Sequence, residues 1–126
     1  MKKKRTRSGG GSRNVADEGT KILFVGALNQ NRGPTAEKTW NRRAGFSARS
    51  AGISPFIKKT LTPKDIHWAD YIIAMEEKHK NRIVADFSRA LKDKTVQVLG
   101  ISDQFKYMDP DLIKQLEKQV AVIVKA

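Results

Sequence analysis

The sequence predicts an α/β fold, a small doubly wound four-stranded parallel sheet with helices on both faces. Three observations carry this expectation. From Lys21 onward, short strand-like runs alternate with stretches of helical spacing, the order that lays parallel strands side by side under crossover helices. Three of the helical stretches open near a proline (Pro34, Pro63 and Pro110), where a first turn tolerates the missing N–H. A length of 126 residues with 39% hydrophobic side chains suits about one domain with one modest core, which we place at 21–126, and no internal repeat argues otherwise.

The elements follow in order. Ile22-Leu23-Phe24-Val25 is a short apolar run before a glycine, as expected for a strand buried on both faces. A helix then runs from Pro34 to near Gly45, and 46–50 forms the second strand. Thr62-Pro63-Lys64-Asp65 reads as an N-cap, a proline at the first helical position and an acidic residue at the third, opening a helix through Ile66 and Trp68. Asp70 to Met75 is the third strand. Helical spacing holds from Glu76 to Phe87, with Ile83, Val84 and Phe87 on one face, and Lys78, His79 and Lys80 read as a solvated face. Thr95 to Leu99 is the fourth strand, and a last helix starts with Asp109 as N-cap and Pro110 at N1, running through Leu112, Ile113, Leu116 and Val120.

Composition excludes several classes. The longest apolar run, Ile22 to Leu28, falls well short of the roughly 18 residues a bilayer crossing needs, and the basic start has no apolar segment after it to make a secretory signal, so a cytoplasmic protein is expected. With no cysteine, disulfide scaffolds, thiolate zinc sites and thiol catalysis by the chain as written are excluded. His67 and His79 lie too far apart for helical metal pairing, so neither a metal nor any other cofactor is expected. The net charge is +12, with six basic and two acidic side chains among residues 1–20. Such a field draws phosphates, nucleic acid or acidic partners without naming one. Lys2, Lys3, Lys4, Arg5 and Arg7, followed by Ser8-Gly9-Gly10-Gly11-Ser12, read as a flexible basic tail over 1–20 that touches nucleic acid, solubilises the chain, or is an artificial extension.

In an open α/β sheet, ligands bind beyond the carboxyl ends of the strands, and Gly26-Ala27-Leu28-Asn29-Gln30-Asn31-Arg32-Gly33 joins the first strand to its helix at that edge. Glycines at its two ends allow close backbone approach, a helix N-terminus favours an anion, and Arg32 offers a planar donor fork suited to phosphate. An ordinary connection with an exposed arginine is the plain alternative.

The stretch Phe24 to Glu37 resembles the signature of the low-molecular-weight protein tyrosine phosphatase family, a strand followed by Cys-x5-Arg-Ser/Thr-Pro and then Ala-Glu. The likeness continues in Arg49-Ser50-Ala51-Gly52, in Ala69 to Met75, and in Ile101-Ser102-Asp103-Gln104-Phe105, similar to the late segment that holds the family's general acid. Tyr107 to Pro110 looks like a stretch shared by a short subgroup of predicted bacterial phosphatases. The resemblance implies a phosphotyrosine protein phosphatase I-like fold. It also implies a reaction in which a thiolate attacks phosphorus, loop N–H groups and the arginine hold the oxygens, and an Asp protonates the leaving oxygen.

Carried over position by position, the arginine is Arg32, the loop asparagine Asn29 and the acid Asp103, although Gln104 stands where the family has proline. The nucleophile falls on Gly26 and the hydroxyl that serves it on Gly33. Ser50 matches a residue that supports the loop, and Phe105 and Tyr107 either flank it as an aromatic wall or simply pack. Trp40, Phe87 and Tyr71 are read as structural, and Thr35 as pointing away from the loop. Three functions remain open: a silent phosphatase relative binding phosphate, another oxyanion or a phosphorylated partner through the loop; an active phosphatase in which position 26 has been altered; and a nucleic-acid or protein binding module using the tail.

Overall fold

The computed structural model describes residues 19–126, so the basic tail lies outside the described residues except at its last two positions. Four parallel strands form the sheet: β1 (Thr20–Gly26), β2 (Phe46–Gly52), β3 (Tyr71–Ala74) and β4 (Val96–Val98), in the order β2-β1-β3-β4. The chain steps from β1 to β2 on one side and returns to β3 on the other. The carboxyl end of β1 is therefore the topological switch point, where an open sheet leaves a crevice.

Alternation along β1 builds the two halves of the core. Ile22 and Phe24 pack on one face with Ala36 and Trp40 of α1 (Arg32–Asn41) and Leu112, Leu116 and Val120 of α5 (Pro110–Val124). Leu23 and Val25 pack on the other with Ile66 of α2 (Pro63–Trp68), Ile83 of α3 (Glu77–Asp86) and Leu91 of α4 (Ser88–Leu91). Trp40 is fully buried, its indole N–H donating to Leu116 O and its ring meeting Phe46 edge-on. Phe87 and Tyr71 are partly buried against the two clusters. No helix among the described residues is long and apolar enough to cross a membrane.

The caps read from sequence are present. Thr62 Oγ1 accepts from the Asp65 N–H while the Asp65 carboxylate accepts from the Thr62 N–H, and the Asp109 carboxylate accepts from the Asp111 N–H. Some boundaries move. α1 begins at Arg32, two residues before the proline, because Asn31 O already accepts from the Thr35 N–H. β2 extends to Gly52, and α5 continues to Val124. The helix expected over 76–87 breaks at Phe87, whose backbone leaves the helical region before the short α4.

Replacing Thr62 by alanine removes one half of the α2 capping box, and urea unfolding should show a loss of about 1 kcal/mol.

Candidate oxyanion site

The segment after β1 is shaped by its neighbours at the sheet edge. Gly26 O accepts from the Ile53 N–H at 3.0 Å and Ala27 O from the Ser54 N–H at 3.2 Å, which fixes the outer side of the turn. β2 must end in glycine for this approach, since a Cβ at Gly52 would stand 2.6 Å from Ala27 O and 2.5 Å from Ile57 Cδ1. Asn29 takes φ +56°, a left-handed conformation that asparagine tolerates better than most residues. Its Oδ1 is buried with no partner among the described residues.

Residues 26–33 and Asp103 together line a cavity of about 50 Å³. A space of this order has room for more than a single water, enough for a small tetrahedral oxyanion. The backbone N–H groups of Ala27 to Asn31 donate to no carbonyl among the described residues. They belong to the turn that feeds the N-terminus of α1, where free N–H groups and the helix dipole both favour negative charge.

Arg32 is the charged residue at the centre of this arrangement and is only 5% exposed. Its Nη1 donates to the Glu76 carboxylate and, at 2.7 Å, to Ile101 O, while its Nε lies 3.8 Å from Asp103 Oδ1. Ile101 is itself held, its N–H donating to Met75 O at 2.9 Å. One guanidinium thus joins the starts of α1 and α3 and the segment after β4. Asp103 stays 69% exposed at the cavity rim.

Glu76 and His79 were not singled out from sequence as part of this site. The Arg32 guanidinium holds the Glu76 carboxyl below the usual carboxylate range, more than offsetting the opposing effect of its own partial burial. His79 corrects the expectation of a solvated face: Lys78 is exposed, but His79 is fully buried. Its Nδ1 accepts from the Glu76 backbone N–H at 3.1 Å, which fixes the residue whose side chain meets Arg32. That bond requires an unprotonated Nδ1, and burial, reinforced by the Arg32 charge, pushes the imidazole pKa down. A legible signal existed: Glu76 follows the third strand at the ligand-binding edge, three residues before a histidine able to cap its N–H.

Other expected site residues fall differently. Ser50 does not bond the loop; its hydroxyl donates to the Glu37 carboxylate on α1. Phe105 packs against the α5 side of the core, and Tyr107 lies half-exposed over a groove with Pro34, Glu37, Lys38 and Arg42. Neither lines the loop cavity. Thr35 is buried, and its hydroxyl accepts from the Met108 N–H at 2.9 Å, away from the cavity. Gly33 leaves little room, since a Cβ there would meet Asn29 Oδ1 at 2.7 Å.

This fold is that of the low-molecular-weight protein tyrosine phosphatases. The arginine phosphatase YwlE from Geobacillus stearothermophilus superposes with a TM-score of 0.66 at 23% identity, over 84% of this chain and 94% of that one. A low-molecular-weight protein tyrosine phosphatase from Bacillus subtilis gives 0.64 at 24% identity, over 84% and 97%. SP-PTP, the low-molecular-weight protein tyrosine phosphatase of Streptococcus pyogenes, gives 0.68 at 17% identity, over 82% and 93%. No protein-family model matches the sequence, and no curated protein does.

The site makes stability depend on pH. His79 is held neutral in the fold but binds a proton in the unfolded chain below about pH 6.5, so the unfolded state holds more protons and stability falls on acidification. Glu76 acts in the same direction at lower pH. Its contribution is full above the ordinary carboxyl value and is lost as pH drops through its depressed folded value. Urea unfolding across this range should show two successive losses, and His79→Gln should abolish the upper one alone; a flat profile from about pH 7 to 5 would contradict the assignment.

Proposed function

We propose that this chain is a catalytically silent protein of phosphatase fold that binds a phosphate group, free or on a protein, through the loop 26–33. The carrying observation is an open cavity lined by loop residues whose N–H groups, from Ala27 to Asn31, donate to no carbonyl among the described residues, and by the buried Arg32, beside a position 26 that has no side chain. The retained groups are those that hold an anion. The missing ones, at Gly26 and Gly33, are those that would create and stabilise an attacking thiolate.

Among the described residues, no side chain lining the cavity carries a hydroxyl or thiol, and its one carboxylate, Asp103, sits 3.8 Å from Arg32 Nε. Asn29 and Gln30 are poor nucleophiles, and the Thr35 hydroxyl is buried against the Met108 N–H. Without a bond from protein to phosphorus, a phosphoenzyme cannot form at position 26, and losing a nucleophile typically removes several orders of magnitude in rate. Structural neighbours named as arginine and tyrosine phosphatases support a phosphorylated protein as the bound class. A cytoplasmic setting belongs to the same reading.

Calorimetric or NMR titration should show phosphate or a phosphotyrosine peptide binding at millimolar concentration or below. Arg32→Lys, which keeps the charge but loses the fork, should weaken it at least several-fold. No binding, or an unchanged affinity in the variant, would sink the reading.

One observation favours a second reading, in which position 26 descends from an active nucleophile. Nothing in the backbone demands glycine there: its φ lies outside the left-handed region, and a Cβ would meet only Met75 Cγ, at 3.9 Å. Gly26→Cys should therefore fold with stability changed by no more than about 1 kcal/mol. It should also hydrolyse para-nitrophenyl phosphate, slowly because Gly33 supplies no hydroxyl to the thiolate, while the unsubstituted chain shows none.

A further inference from the structure

Phosphate and sulfate groups have nearly the same tetrahedral shape, so a cavity of this size cannot separate them by fit. What differs is the proton. A phosphomonoester has a second pKa of about 6 and so carries a P–OH just below neutrality, whereas a sulfate ester carries one charge and no proton.

The charges around the cavity make that difference matter. Arg32, from the start of α1, faces two carboxylates: Glu76, which takes its Nη1, and Asp103, 3.8 Å from its Nε. The side chains there are net negative by one, and His79, buried behind Glu76 with Nδ1 accepting, adds no positive charge. Of the two carboxylates, only Asp103 lines the cavity. It is mostly exposed, and the only partner its carboxylate has among the described residues is that long contact with Arg32. An entering anion with no proton meets it as like charge, while one bearing a P–OH meets it as a hydrogen-bond acceptor.

We propose that Asp103 is the specificity-determining residue of the loop site, accepting a hydrogen bond from a protonated phosphate oxygen, so that the site takes singly charged phosphomonoesters and rejects sulfate esters. This rests on the oxyanion reading above and deepens it. The phosphatase resemblance gives the matching acid the task of donating a proton to a leaving group. Here, with no bond to break, the same position receives a hydrogen bond from the ligand.

The test compares phenyl phosphate with phenyl sulfate by calorimetry or NMR at about pH 5.5, where both carry largely one charge. Because the comparison is a ratio at fixed pH, protonation of Glu76 or His79 cancels. The unsubstituted chain should prefer the phosphate by about tenfold or more, the worth of one charged hydrogen bond. Asp103→Ala should bring the ratio close to one, partly by improving sulfate binding. Equal affinities in the unsubstituted chain, or a preference that survives Asp103→Ala, would overturn this role while leaving oxyanion binding in place. Failure of both esters to bind would overturn the oxyanion reading along with it.

Discussion

The arrangement of this site depends on one ion pair, between the buried Arg32 and the half-buried Glu76. Withdrawing a guanidinium from water costs several kcal/mol, and the cost is offset only where charge and hydrogen bonds meet it with good geometry. Arg32 meets the Glu76 carboxylate and Ile101 O through the same nitrogen, so three segments that leave the sheet at one edge are joined at a single point. Glu76 is in turn set by His79, and Ile101 by Met75 O. The guanidinium beside the loop after β1 is thus fixed electrostatically. The arginine is held in place by acceptors of the fold, and a ligand need not recruit it.

Three glycines at this edge have three physical meanings. Gly52 is required, because a side chain there would strike the Ala27 carbonyl and push the loop away from β2. Gly33 is accommodated: a Cβ would press on the Asn29 carboxamide, the movable end of a side chain. Gly26 is neither, since its backbone is ordinary and the space beside it is open. The geometry therefore puts a constraint of packing at 52 and none at 26, where a side chain would alter the chemistry of the cavity and not the fold.

Much of this was legible in the sequence, and the remainder was hidden for definable reasons. The order of strands, the three proline-marked helix starts and the caps at Thr62 and Asp109 are local signals, readable wherever a few adjacent residues decide the outcome. The loop and Arg32 were legible because their spacing is contiguous. The pairing of Glu76 with Arg32 was not, because 44 residues separate the two, and the nearer signal, a histidine three residues on, bears only on how the Glu76 N–H is capped. His79 sits between two lysines, and periodicity alone assigns such a residue to solvent; its burial is decided by a backbone N–H that must be satisfied inside the fold. Ser50 was misdirected for a similar reason. Its position beside the loop was readable, but Glu37, reaching across from α1, captures its hydroxyl.

A catalyst must hold the transition state more tightly than the substrate, and it needs a reacting atom through which that difference is expressed. Preorganised N–H groups and a fixed guanidinium supply stabilisation to any tetrahedral anion that reaches them, whether or not a bond is changing. Under the proposed reading, with no attacking sulfur the same donors have no transition state to favour, so whatever affinity they confer would fall on the ground state. Asp103 follows the same logic. In the proposed role, a carboxylate at the cavity rim with no leaving group to protonate would act on selectivity instead of rate.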